Sequence, residues 1–593
     1  MEVSVSRAVP RSRKALALVA GAAALAGPLT LAAPASAAEA PYSVTPLRFT
    51  VEAGGRSCAV DADLYRPAGV DAARPAPAVL ATNGFGGSKS DGSTDAIGRA
   101  FAERGYVGLV YSGLGFGKSG CLISLDDPEI DGRAAARLVD FLAGDRAADD
   151  GTRADFVTRD GAGDPRVGMI GGSYGGAVQL AAASVDPRID ALVPLITWND
   201  LAYSLAPNAA DRATPGVFKW QWANGFYLIG EGQPLLVPSL DPSRINSIRC
   251  LHFVTDACGT VRLLNSGRYP KAETAKMLAY ARSVSPVSYV DRITAPTLIV
   301  QGQADSLFTL NEANATYDRL RERGVDTRMI WQSWGHSGGQ KPGELDLAQG
   351  NLEGSYVGQR ILGWFDRYLR KNRAADTGPA FAWYRDWQSG YGAAAEVPAL
   401  SQRLYLSGDG KLVDDRAKVA RGARTYSNRL LPTSHSESSL AGMIGLPDPR
   451  PYDTAGTHLG WTSAPLTAPV DLVGAPRATL KVDSPATERV QDSGDAADKL
   501  VLFAKLYDIA PDGTRTLVNR LVAPVRVPDV TRPFTVELPA VVHRYETGHR
   551  LELVIAGSDT AYSGNRGIKP VTVVDAPGNP GTLELPLVQG RVG

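Results

Sequence analysis

The chain has no excess of charge of either sign: 62 Lys and Arg stand against 62 Asp and Glu in 593 residues. A protein that grips a nucleic-acid backbone concentrates cations, and no basic patch occurs here, so no nucleic acid partner is expected. Histidine and cysteine are scarce, with six and four residues, and neither C-x-x-C nor H-E-x-x-H occurs. That leaves no ligand set for zinc, and no metal or other cofactor is expected. Beyond residue 32 no apolar run approaches the ~20 residues of a membrane helix, so no stable membrane anchor is expected. Nucleotide binding fails as well. Gly117-Lys118-Ser119 has the tail of a P-loop, but the glycine needed five positions earlier is Ser112.

The one long apolar stretch lies at the start. Arg7, Arg11, Arg13 and Lys14 precede Ala15 to Ala32, and Ala35-Ser36-Ala37 has the A-x-A cleavage pattern. Residues 1–37 therefore read as a signal peptide, with Ala38 opening the mature chain and cleavage at Ala40 as the alternative. A retained anchor is the rival, but the stretch is short and alanine-rich and ends in the cleavage pattern. No consecutive arginines precede it, so a twin-arginine signal lacks support. Residues 1–37 carry four basic residues and one acidic residue, leaving 58 basic against 61 acidic. The expected location is secreted, extracellular. In that setting an even number of cysteines favours disulfides. Cys250 with Cys258 would close a short loop, and Cys58 with Cys121 would tie an early strand to a later loop. Four cysteines allow three pairings, so the connectivity stays open.

A mature chain of about 556 residues is too long for one compact core. From 38 to 198 short buried strands alternate with helices, as in Ala78-Val-Leu-Ala-Thr, Val107 to Tyr111, Val167 to Ile170 and Ala191 to Ile196. That rhythm predicts a mostly parallel sheet covered on both faces. It breaks over 199–286, read as a helical cap insertion above the strand ends. It resumes over 287–377 with strands from Thr297 and Arg328. From 378 to 593, runs such as Leu500-Val-Leu-Phe-Ala-Lys-Leu-Tyr between turn residues predict a β-sandwich.

The chemistry sits at strand ends. Gly171-Gly-Ser173-Tyr-Gly175 follows Val-Gly-Met-Ile and has the G-x-S-x-G form of a nucleophile elbow. Asp305 follows Thr297-Leu-Ile-Val, and His336 follows Met329-Ile-Trp. Serine, acid and histidine in that order point to an α/β hydrolase and acyl transfer through a seryl ester. A free serine hydroxyl is a poor nucleophile; His336 can take its proton while Asp305 orients the imidazole. Asp200, also after a strand, is the second choice for the acid. The oxyanion needs two donors: the Tyr174 N–H, and an N–H from the loop Asn83-Gly-Phe-Gly-Gly-Ser, for which Phe85 is the candidate. Trp198, Trp220, Trp222, Phe226 and Tyr227 are candidates for the pocket lining.

On these residues the chain resembles the Xaa-Pro dipeptidyl-peptidase and cocaine-esterase family of serine hydrolases. Gly171-Gly-Ser-Tyr-Gly-Gly176 matches its elbow, Gly302-Gln-Ala-Asp305 its acid loop and Gly335-His336 its base. Pro465-Leu466 and Gly548-His-Arg-Leu-Glu-Leu resemble its carboxy-terminal domain. The resemblance implies an α/β-hydrolase core, a helical cap and a jelly-roll domain that helps wall the site. One departure stands out. The family often places a tyrosine where Phe85 stands, and a phenyl ring has no hydroxyl to donate. The resemblance implies a small peptide or ester substrate, with release of Xaa-Pro dipeptides as the expected activity. A carboxylesterase or amidase is the alternative. A noncatalytic binding protein would need all three catalytic residues present yet misplaced. Nothing in the sequence sets an oligomeric state.

Overall fold

The computed structural model describes residues 40–236, 241–443 and 446–593; the expected signal peptide, 1–37, lies outside them. Ten strands form one large sheet. They are β1 (Tyr42–Ala53), β2 (Arg56–Pro67), β3 (Ala78–Thr82), β4 (Val107–Tyr111), β5 (Val167–Gly172), β6 (Ile189–Leu195), β7 (Thr297–Gly302), β8 (Thr327–Gln332), β9 (Phe381–Arg385) and β10 (Gly390–Ala394). Their order is β1-β2-β4-β3-β5-β6-β7-β8-β9-β10. From β4 to β9 every neighbouring pair is parallel. Every residue of β3, β4 and β7 is buried, as unbroken apolar runs with helices on both faces require.

The covering helices are α1 (Gly92–Glu103), α2 (Arg133–Leu142), α3 (Tyr174–Val185), and further on α8 (Leu310–Glu322) and α9 (Tyr356–Tyr368). In α2, Ala134, Leu138 and Leu142 share the buried face that their spacing predicts. Helix α9 lies directly on β5: a Cβ at Gly168 would stand 2.4 Å from the Phe365 ring. Here the small residue sets the helix-to-sheet distance.

Among the described residues, four α-helices lie between β6 and β7: α4 (Leu201–Leu205), α5 (Trp220–Gly232), α6 (Thr255–Asn265) and α7 (Lys271–Ser283). Their aromatic and aliphatic side chains share a core with Tyr174 at the start of α3 and with Phe116 and Phe308 of the sheet's loops. This insertion is also bonded to the carboxy-terminal part. Trp220 Nε1 and Gln221 Nε2 both donate to Thr560 O, at 3.0 and 3.1 Å. Asn208 Nδ2 donates to Arg526 O at 3.0 Å, and the Tyr269 N–H to Asp495 at 2.7 Å.

One boundary differs from the sequence reading, which starts the sandwich at 378. Phe381–Arg385 pairs in parallel with β8 and Gly390–Ala394 closes the same sheet, so both belong to the core. The reason is burial: Phe381-Ala-Trp-Tyr is buried throughout and returns from α9 as one more crossover. Sandwich strands begin at Gln402–Leu406. Leu404, Trp461, Leu472, Leu502, Val525 and Leu553 from its sheets meet in one core. The fold is thus an α/β-hydrolase core followed by a β-rich jelly-roll-class domain.

The four cysteines form two bonds. Cys58–Cys121 ties β2 to the loop after β4, and Cys250–Cys258 ties the first turn of α6 to the segment before it.

Candidate active site

Ser173 sits between β5 and α3 with φ +58° and ψ −118°, a conformation rarely adopted by a residue with a side chain. Such backbone strain costs about 1–3 kcal/mol and persists only where neighbours hold it. The holding is visible. The Ser173 N–H donates to Leu195 O at 2.9 Å, and Thr197 Oγ1 donates to Ser173 O at 2.9 Å. The flanking glycines are obligatory for space. A Cβ at Gly171 would lie 2.6 Å from Gly175 O, and one at Gly175 would lie 2.5 Å from Thr82 O.

His336 Nε2 stands 2.7 Å from Ser173 Oγ, and His336 Nδ1 stands 2.8 Å from Asp305 Oδ2. Asp305 is fully buried, and its other contacts are all backbone N–H groups. Leu307 and Phe308 donate to Oδ1 at 3.0 and 2.9 Å, and the His336 N–H donates to Oδ2 at 3.1 Å. With its proton on Nδ1, the imidazole presents a free lone pair to the serine hydroxyl. The loops after β7 and β8 cross closely enough for this because two residues lack side chains. A Cβ at Gly302 would lie 2.3 Å from Trp334 O, and one at Gly335 would lie 2.5 Å from Asp305 Oδ2. Asp200, the second choice for the acid, is elsewhere: it caps α4 through Ala202 N at 2.9 Å and pairs with Arg282.

The loop 83–88 lies against the elbow, since a Cβ at Gly84 would be 3.9 Å from Ser173 Cβ. Asn83 Oδ1 accepts from Gly113 N at 3.0 Å and Gly87 N donates to Gly84 O at 3.1 Å, which fixes the turn. Among the described residues, the N–H groups of Phe85 and Tyr174 have no intramolecular acceptor. Two donors beside Ser173 are what an oxyanion requires. The Phe85 ring itself packs edge-on to Phe116, Tyr174 and Phe226, with centroids 5.1 to 5.6 Å apart.

Beyond Phe85 lies an apolar cavity of about 90 Å³ under the inserted helices. Of the five lining candidates, Phe226 and Tyr227 face it. Trp222 stands edge-on to the His336 ring, 6.1 Å between centroids. Trp198 and Trp220 do not line it, which corrects the sequence reading. Trp198 packs behind Tyr174 and Phe308, and Trp220 turns to Thr560. Residues that sequence reasoning missed complete the wall: Leu125, Phe253, Leu264, Met277 and Tyr280. Leu264 lies on α6 and Met277 and Tyr280 on α7, while Leu125 and Phe253 come from loops, so only the packing shows that they share a wall.

Two charged groups lie behind the acid and base loops. Lys219 is buried, and its Nζ donates to the carbonyls of Ser306 and Leu307 at 2.7 and 3.0 Å. Burial pushes its pKa down to about 8, against the pull of Glu437 and Asp305. Glu437, from the carboxy-terminal domain, is raised by burial, with the Ser306 hydroxyl and Lys219 acting in the opposite sense.

Residues 55–338 match the family model described as X-Pro dipeptidyl-peptidase (S15 family). Residues 372–572 match the model for the X-Pro dipeptidyl-peptidase C-terminal non-catalytic domain. A Mycobacterium bovis protein named as a candidate serine esterase is 24% identical over 277 residues, covering 40% of this chain and 41% of that one. The chain thus spans about two fifths of that relative's length. A solved α-amino acid ester hydrolase superposes with a TM-score of 0.64 at 18% identity, over 94% of this chain and 99% of that one. An aminopeptidase from a marine-sediment Thaumarchaeota archaeon gives 0.63 at 16% identity, over 93% and 97%. At these identities the likeness speaks for the fold.

Proposed function

The chain belongs to the X-Pro dipeptidyl-peptidase and cocaine-esterase family of serine hydrolases, and on that premise we propose that it is an exported acyl hydrolase of small uncharged esters or amides. Ser173 is the nucleophile, His336 the general base and then acid, and Asp305 the group that orients His336. Attack by Oγ on the substrate carbonyl transfers the hydroxyl proton to Nε2. The oxyanion is held by the N–H groups of Tyr174 and Phe85. The proton passes to the leaving group, and water repeats the sequence on the seryl ester.

The observation that carries the substrate class is the cavity next to Phe85. Among the described residues that line it, none is charged. The two residues that follow Asp305-Ser306 are Leu307 and Phe308, again without a carboxylate for a substrate ammonium. A desolvated ammonium in such a space would be costly. An apolar acyl group gains ~25 cal/mol for each Å² it buries. Phe85 in place of the family's tyrosine suits an oxyanion site made of backbone donors alone. The reading of export is supported by the amino-terminal pattern and the two disulfides. It is also compatible with the absence, among the described residues, of a helix long and apolar enough to cross a membrane.

Release of Xaa-Pro dipeptides, which the sequence reading favours, is the second reading. It is supported by the descriptions of both matched family models. Gly-Pro anilide, acetyl-Gly-Pro anilide and an aryl butyrate ester separate the two. The ester alone should turn over. Cleavage of the free-amine anilide, with a loss of ~10-fold or more on acetylation, would reverse the order of the readings.

A further inference from the structure

Glu437 belongs to the carboxy-terminal domain, yet its carboxylate ends among the loops that carry Asp305 and His336. It lies between the short strand Ser434–His435 and helix α10 (Ser439–Met443), and only 5% of it is exposed. Ser306 Oγ donates to Oε2 at 2.5 Å, and Ser337 Oγ is 3.4 Å from the same oxygen. The two serine hydroxyls are also 2.6 Å from each other. Trp222 Nε1 donates to Oε1 at 3.2 Å. Ser306 directly follows Asp305, Ser337 directly follows His336, and Trp222 packs edge-on to the imidazole. One carboxylate therefore bonds to the acid loop, the base loop and the roof together.

The domain holds this carboxylate firmly. Arg520 Nε donates to Ser436 O at 2.9 Å, and Ser436 Oγ to Asp559 at 2.8 Å. Asp559 in turn pairs with Lys505, and both are fully buried. On the opposite side Lys219 grips the carbonyls of Ser306 and Leu307. Lys219 and Asp559 act on the charge of Glu437, and Glu437 acts on Tyr562 in turn, beside the Asp305 and His336 loops that it bonds. A buried carboxylate with three donors is costly to strip of its partners, so the arrangement resists displacement.

We propose that Glu437 is a positioning residue for the Asp305–His336 pair, so that the active site is complete only with the carboxy-terminal domain in place. This rests on the assignment of Ser173, His336 and Asp305 above. The family's second domain thereby does more than wall the pocket. It sets the separation and tilt of the acid and base loops, to which rate is steeply sensitive.

The test is Glu437→Gln in the full chain, which preserves size and removes charge. The expected result is a fall in kcat of ~10- to 100-fold with KM within ~3-fold. Ser306→Ala with Ser337→Ala, in the presence of Glu437, should give a similar fall. Adding Glu437→Gln to that pair should cost less than the product of the two effects. An unchanged kcat in Glu437→Gln, or full additivity, overturns the proposal. If Glu437→Gln does not fold, the serine pair decides alone: kcat within ~2-fold of the parent overturns it. Labelling of Ser173 by a serine-directed phosphonate in the parent protein separates this failure from failure of the triad itself.

Discussion

The floor of the site and its roof are built on different principles. In the floor, position is set largely by backbone, with Thr197 and the proposed Glu437 brace as the side-chain additions. Ser173, Asp305 and His336 are held by main-chain hydrogen bonds and by glycines where a Cβ would collide. In the roof, position is set by side chains packing on each other: Trp222 on Phe226, Tyr227 on Phe253, Phe226 on Phe85. Backbone constraints tolerate almost no change. Apolar packing tolerates much, provided that volume is conserved. The chemistry is therefore expected to be brittle and the choice of substrate adjustable.

Ser173→Ala breaks the comparison most sharply. Turnover should fall by ~10⁶-fold while the thermal midpoint stays within a few degrees, since one hydroxyl is lost and no packing. Wild-type turnover in purified variant would remove Ser173 from the mechanism. The disulfides come next. Cys58–Cys121 closes a floor loop with a sequence separation of 63, and Cys250–Cys258 a roof loop with a separation of 8. Chain entropy gives ~4 kcal/mol for the first and ~2.5 kcal/mol for the second. Paired Cys→Ser variants, compared by urea unfolding, should rank in that order. A larger loss from the roof pair would show that native-state packing dominates.

Gly335→Ala is the third. Its Cβ would lie 2.5 Å from Asp305 Cβ, so the acid and base loops must part. We expect kcat/KM to fall by ~100-fold, with ~1–3 kcal/mol of stability lost. The smallest effect belongs to the roof. Ala257 of α6 lines the cavity, and Ala257→Leu should fill part of it. A butyrate ester should lose ~10-fold in kcat/KM while an acetate ester changes by less than ~3-fold. Equal losses for both esters would mean that the acyl group goes elsewhere.

The same division explains what could be read from the sequence. Ser173, Asp305 and His336 each follow an apolar run, and sheet topology puts such strand ends on one edge. The glycines at 171, 175, 302 and 335 announce tight approach. Local motifs were therefore enough to find the three residues that the structure brings together. Side-chain contacts over long separations left no such mark. Trp198 and Trp220 have the composition of pocket residues, but only packing could show that one faces Phe308 and the other Thr560. Glu437 stands 101 residues beyond His336 in a segment without a motif. The strand Phe381–Arg385 looked like the start of the sandwich because the long helices stop just before it. Its true partner, β8, is fixed by the crossover from α9.

The bonds from the insertion to Thr560, Arg526 and Asp495 bear on motion. A lid hinged on the core alone could swing away as a unit; this one is fastened along the side that meets the sandwich. Its other margin is tied to the core as well: Gln233 Nε2 donates to Gly86 O at 3.2 Å, and Arg244 Nη1 and Nη2 donate to Gly117 O and Gly115 O at 2.7 Å each, while Leu228 and Ile229 are exposed. Amide exchange along α5 should then be graded, with slow exchange near Trp222 and fast exchange toward Ile229. With both sides tied, access to Ser173 would depend on local breathing of α5 rather than on a swing of the whole insertion, and the frequency of that breathing would limit turnover.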